Sequence, residues 1–275
     1  MKEILVAFDF SKNALHTLEY ALMYANQVGT GIHLVWVDNT STPDQMMNIE
    51  QTLRIETKKY FDDIVAKYQP KLKQGKIQIH LRKGKVYSEI EMIAKQINAD
   101  IIFAGTHGVS GYERFWIGSN AYRIVTSAPC PVITLRADYT FRNDIKRILV
   151  PIDSSAESRQ KLPFTAALAE AFQAEIHLIL LYNSSLSVIR NRMKSSADEA
   201  LKCLKEKNIQ TFIKEVETEK IAQRILDYST ELDADLISIM TEQSNTAGNM
   251  FLGPYAQQLV NNSLIPVLSI QTIPG

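Results

Sequence analysis

The chain repeats itself once from end to end, and no other feature of the sequence restricts its architecture so tightly. Ile4, Leu5 and Val6, followed by Asp9 and Ser11, recur as Ile148, Leu149 and Val150, followed by Asp153 and Ser155. Ile32, His33 and Leu34 recur as Ile176, His177 and Leu178 at the same offset of 144. Further on, Ala99 and Asp100 match Ala234 and Asp235, Gly118 matches Gly253, and Pro131 and Val132 match Pro266 and Val267, now at an offset of 135. The second copy therefore has the shorter middle connection. A period of one whole domain signals a tandem duplication, not a solenoid. At 275 residues each copy has room for its own core. The expected domains are 1–137 and 145–275, with the polar and charged segment 137–144 as linker.

Within the first copy, short apolar runs alternate with stretches of helical period, the pattern of βαβ units around a parallel sheet. Strands are expected at 4–8, 32–37, 77–81, 101–104 and 132–135. One helical stripe comprises Ala14, Leu15, Leu18, Ala21, Leu22 and Ala25, and Gly29 is its natural stop. A second comprises Tyr60, Phe61, Ile64, Val65 and Tyr68, and a third Val86, Ile90, Ile93, Ala94 and Ile97. Ala121, Ile124 and Val125 mark a short fourth. All read as core packing. In the second copy Pro163 falls where the first helix should be interior, so that helix is expected to kink or start late.

Charge and cysteines exclude several classes. Thirty Lys and Arg balance thirty Asp and Glu, which removes the global attraction that nucleic acid or an anionic membrane requires. Neither kind of partner is expected. No apolar stretch approaches the roughly 20 residues of a membrane helix. The opening run 4–8 is shorter than a signal-peptide core and is flanked by Glu3 and Asp9, so a cytoplasmic protein is expected. Cys130 and Cys203 lack CxxC spacing and read as two reduced thiols, and the five histidines lack metal-ligand spacing. No metal site is expected.

The chemistry concentrates after the fourth strand. Gly105, Thr106, His107 and Gly108 are followed by nine residues, and then Gly118 and Ser119 open a helix. Glycines admit close backbone approach, and a helix start offers unpaired N–H donors and a positive dipole end, which together can hold a phosphate. This Gly-x2-Gly-x9-Gly-Ser spacing resembles the nucleotide loop of the ATP-binding members of the universal stress protein family. Residues 118–132 (GSNAYRIVTSAPCPV) are similar to that family's closing helix and strand, and residues 4–11 (ILVAFDFS) to its first strand and turn.

The resemblance covers both copies. It implies an α/β fold of two tandem doubly wound domains, each a five-stranded parallel sheet of order 3-2-1-4-5 with helices on both faces, of the adenine nucleotide alpha hydrolase-like kind. It implies ATP or a related adenine nucleotide, with Mg as a companion ion, bound beyond the carboxyl ends of strands one and four. Carried over by position, Asp9 would face the ribose or a metal, and the backbone around Trp36 and Val37 would read adenine. Gly105, His107, Gly108, Gly118, Ser119 and Asn120 would cradle the phosphates. Asp9 also reads as a local turn or cap, and the two roles are compatible. Lys85 and Arg114 read as solvated surface residues. Trp116 reads either as packing the loop down or as exposed at an interface. Strand edges 132–135 and 267–270 resemble the family's dimer edge; paired with each other they would make an intramolecular pseudo-dimer, with further homodimerisation left open.

The second copy departs from the pattern. Met240 stands opposite Gly105, Gln243 opposite Gly108 and Pro254 opposite Ser119, while Glu242 adds negative charge; only Gly253 survives. Gly84 faces Glu219. No ATP is expected there by this mode, and the half is either a structural partner or a site for another ligand. Three readings of function remain: a stress-response binding and signalling module, a slow ATPase, and a nucleotide-free scaffold. The sequence has no Walker A Gly-Lys-Ser/Thr and no nucleophile–base pair, so no catalytic residue is expected.

Overall fold

The structure is a computed structural model and describes residues 3–39, 47–106, 117–153, 157–183, 186–241 and 252–272. The first half runs β1 (Glu3–Ala7), α1 (Lys12–Val28), β2 (Gly31–Asp38), α2 (Met47–Tyr68), β3 (Ile77–Lys83), α3 (Val86–Ile97), β4 (Ile101–Gly105), α4 (Ser119–Ser127) and β5 (Val132–Leu135). The second runs β6 (Arg147–Ile152), α5 (Leu162–Phe172), β7 (Glu175–Tyr182), α6 (Ser187–Glu206), β8 (Thr211–Glu217), α7 (Ile221–Glu231), β9 (Leu236–Thr241), α8 (Pro254–Asn262) and β10 (Val267–Gln271).

Strand order is β3-β2-β1-β4-β5-β10-β9-β6-β7-β8, so each half follows 3-2-1-4-5. The two sheets are joined into one of ten strands. The joint is the only antiparallel pair among the described strands, β5 with β10, in the register Val132 to Ser269, Ile133 to Leu268 and Thr134 to Val267. Each edge thereby satisfies the other's ladder, which disposes of two exposed strand edges at once.

Helices cover both faces, which is why the central strands are apolar without alternation. Ile4 and Val6 of β1 face α1 and α2, whereas Leu5 faces α3 and α4. Both core layers cross the joint: Tyr24 of α1 meets Phe172 of α5 with ring centroids 5.5 Å apart. The segment 137–144 is correspondingly more than a tether. Tyr139 and Phe141 pack edge-on against Tyr20 of the first half, while the Tyr139 hydroxyl reaches the Asp235 carbonyl and Arg142 pairs with Asp233 of the second at 2.6 Å, so the segment straps the halves together.

Local chemistry accounts for most element ends. The Ser11 hydroxyl accepts the Ala14 N–H at 3.0 Å and starts α1; Gly29, at φ 73°, ends it in the left-handed conformation. Pro163 lies in the first turn of α5, where its missing N–H costs nothing, and a 3-10 turn at Glu157–Arg159 replaces the helix's opening turns. The helix starts late rather than kinking. Two expectations are corrected. The second helix begins at Met47, well before the stripe that identifies it, and Tyr60 of that stripe is 62% exposed while Phe61 is fully buried. Gly84 is matched by Thr218, not Glu219: the Gly84 N–H bonds the Asp38 carbonyl, and the Thr218 N–H bonds the equivalent Tyr182 carbonyl. No helix among the described residues is long and apolar enough to cross a membrane.

Candidate functional site

The carboxyl ends of β1 and β4 diverge because the chain crosses from one side of the sheet to the other between them, and a cavity opens there. Its volume is about 440 Å³, within the usual size of small-molecule sites. Asp9, Trp36, Val37, Gly105, Gly118, Ser119 and Asn120 all line it, although they come from four separate stretches of chain. His107 and Gly108 lie outside the described residues, as do Arg114 and Trp116. Lys85 is exposed just before α3 and does not line the cavity.

Asp9 lies two residues past the end of β1 and accepts the Ser11 N–H through Oδ1 at 3.0 Å, so it builds the turn into α1 while lining the cavity. Between them Phe10 is held at φ 62°, a conformation uncommon for a bulky residue. Contacts with Phe61 at 4.8 Å and Trp36 at 6.4 Å fix it there. One wall is apolar, made by Val35, Val37, Val86, Ile90 and Ile124, and suits a flat ring. The lining also has a polar part, with Asp9, Ser11, Asn39, Thr106 and the start of α4.

That helix start is open. Gly118 occupies the cap position with no side-chain cap bond, and its own N–H is committed to the Thr106 carbonyl at 2.7 Å. Ser119, Asn120 and Ala121, which follow it, line the cavity, and theirs are first-turn N–H groups that a helix cannot satisfy internally. Gly105 lines the cavity and is also held to glycine by a neighbour of its own. A Cβ there would stand 2.6 Å from Asn13 Nδ2 and 2.8 Å from its Cγ, so the close approach is made by the protein's own buried Asn13. Ser11 and Thr106, which belong to the motifs but carry no expected ligand role, also line the cavity, as do Asp38 and Asn39, whose only signal in the sequence is position at a strand end.

The profile of the universal stress protein family matches residues 1–136 and again 144–271. The chain belongs to the universal stress protein family. A universal stress protein from Archaeoglobus fulgidus DSM 4304 has the same fold, with a TM-score of 0.80 at 19% identity over 98% of both chains. A Pseudomonas aeruginosa PAO1 protein of unknown function superposes with a TM-score of 0.65 at 17% identity, over 98% of this chain and 92% of that one. In sequence, a Staphylococcus aureus (strain USA300) protein whose name assigns it to the family is 28% identical over 141 residues, half of this chain and 85% of that one.

The second universal stress protein domain is built differently at the equivalent place. Pro254 is the first residue of α8 and supplies no N–H, and Met240 stands half-buried near the end of β9. Gln243 and Glu242 lie outside the described residues. A lysine is buried under the turn instead. Lys161, 2% exposed, donates from Nζ to the Ser158 carbonyl at 2.7 Å and to its hydroxyl at 3.0 Å. Burial pulls its ammonium down to about 8, against the attraction of Asp153, the counterpart of Asp9. Among the described residues no group of three or more His, Cys, Asp or Glu is arranged to hold a metal.

Proposed function

We propose that the first domain binds ATP or a related adenine nucleotide as its Mg complex, and that this cytoplasmic stress-response protein acts as a binding and signalling module. The observation that carries the reading is the convergence of seven motif residues on one cavity at the switch point of the sheet. The cavity supports each part of such a ligand. Its apolar wall, with the β2 backbone around Trp36 and Val37, suits adenine, and the uncapped start of α4 suits phosphate.

Charge favours the metal complex over the bare nucleotide. The described lining has two carboxylates, Asp9 and Asp38, and no Lys or Arg. A triphosphate beside them gains from a divalent cation that screens like charge, and Asp9 is the residue proposed to face it. The ion would supply only that screening. Asp9 and the N–H groups of Ser119 and Asn120 orient the ligand, and Gly105, His107 and Gly108 keep the phosphate-cradling role that the family resemblance implies. The sequence carries no Walker A motif, and the reading proposed is therefore binding and not turnover.

The test is titration of the full chain with MgATP beside Gly108→Asp, which puts bulk and negative charge into the cradle. The variant is expected to lose ATP binding and keep the wild-type circular dichroism spectrum. Normal ATP binding by the folded variant refutes the placement of the site.

A further inference from the structure

The second domain does more than close the sheet edge. The Ile117 N–H, one residue before the cap of α4, donates at 3.0 Å to Asn261 Oδ1, a side chain of α8 in the other domain. The reciprocal bond exists. The Leu252 N–H, one residue before the cap of α8, donates at 3.2 Å to the Tyr122 hydroxyl of α4. Ile117 and Leu252 are 135 residues apart, the offset that relates Gly118 to Gly253, so they hold equivalent places. Each domain thus pins the loop-to-helix junction of the other. The far end of α4 is held from the same side, because Gln271 Nε2 of β10 donates to the Val125 and Thr126 carbonyls at 3.1 Å each.

We propose that Asn261 is a positioning residue for the first-domain site, supplied by the domain that has lost its own nucleotide loop. This rests on the nucleotide reading above. The phosphate-facing donors, Ser119 and Asn120, follow Ile117 directly, and their direction is set by where the chain enters α4. Within its own domain the Gly118 N–H to Thr106 carbonyl bond ties this entry to the chain end of β4, while the Tyr122 N–H closes the first helical turn on the Gly118 carbonyl. Asn261 adds the second fixed point. Two adjacent anchors hold the direction of the helix start, so less order has to be imposed when ligand arrives. The arrangement gives the degenerate half a role that its own altered loop does not need: the first site is complete only with the second domain docked.

The variant is Asn261→Leu, similar in size and without the acceptor, with Asn261→Ala as a second form should the first fold poorly. Affinity for MgATP and for adenosine is measured by calorimetry on the full chain, and amide exchange at Ile117 is followed in ligand-free protein. Faster exchange at Ile117 is expected, with MgATP affinity lowered about fivefold, the size of one net hydrogen bond, and adenosine affinity unchanged. Unchanged MgATP affinity, unchanged exchange, or equal losses for both ligands overturns the proposal. A wild-type chain that binds neither ligand refutes the nucleotide reading and this proposal together; a wild type that binds while Asn261→Leu binds equally well refutes this proposal alone.

Discussion

The buried amine of Lys161 makes the second domain's stability depend on pH in a direction that most proteins do not show. In the unfolded chain a lysine titrates near 10.5, and in the fold burial brings it to about 8. At about 1.4 kcal/mol per pH unit that gap amounts to about 3 kcal/mol. The sign follows from proton counting. Between pH 8 and 10.5 the unfolded chain holds the proton and the folded chain does not, so stability rises with pH through this window. Below pH 8 both states are charged and the fold bears the full cost; above 10.5 both are neutral and the cost is gone.

Lys161→Met keeps the volume and removes the titration. Urea unfolding followed by circular dichroism at pH 7.5 and 9.5 should show the wild type gaining about 2 kcal/mol on the variant, the part of the total that falls between those values. The comparison must be a difference. Burial raises the phenols of Tyr20, Tyr24 and Tyr139 above their ordinary range, which destabilises both proteins alike at high pH. A wild-type-minus-variant difference that stays flat between the two pH values refutes the argument that Lys161 enters the fold as a desolvated cation.

Two further outcomes follow from packing and burial. Gly105→Ala should destabilise the first domain by about 1–3 kcal/mol, because the new methyl would overlap buried Asn13, and a lowered urea midpoint checks it. Cys130, whose thiol burial pushes up to about 12, should resist an aromatic disulfide reagent at pH 8 in the native protein and react once urea unfolds it.

Periodicity and repetition made the architecture legible because each describes what one stretch of chain buries. Ile4, Leu5 and Val6 are apolar on consecutive positions since both faces of their strand are covered, and Gly29 ends a helix by a conformation that glycine adopts without cost. The site was legible where a residue's place in a strand–loop–helix unit determines its neighbours: Asp9, Gly118 and Ser119 meet because β1 and β4 are adjacent. What escaped depends on contacts between distant stretches. The hydrogen-bonded chain from Glu3 through His33 to His80 joins three strands at 2.8 Å per step, and no spacing in the sequence announces it. Gly105 reads as a phosphate-loop glycine, and the sequence gives no sign that buried Asn13, from another element, crowds the same position. The first half of α2 was missed because residues 48–59 are mostly polar, and a helix held by Phe61 and Tyr68 farther along does not need a long apolar stripe.

Two unequal halves with one intact nucleotide site should bind one nucleotide. Isothermal titration of the full chain with MgATP measures this directly, because stoichiometry counts sites irrespective of affinity. One ATP per chain is the predicted result. No binding contradicts the assignment of the cavity between Asp9 and Gly118, and two ATP per chain contradicts the inequality of the halves, since Pro254 and Met240 would then be no obstacle to the ligand.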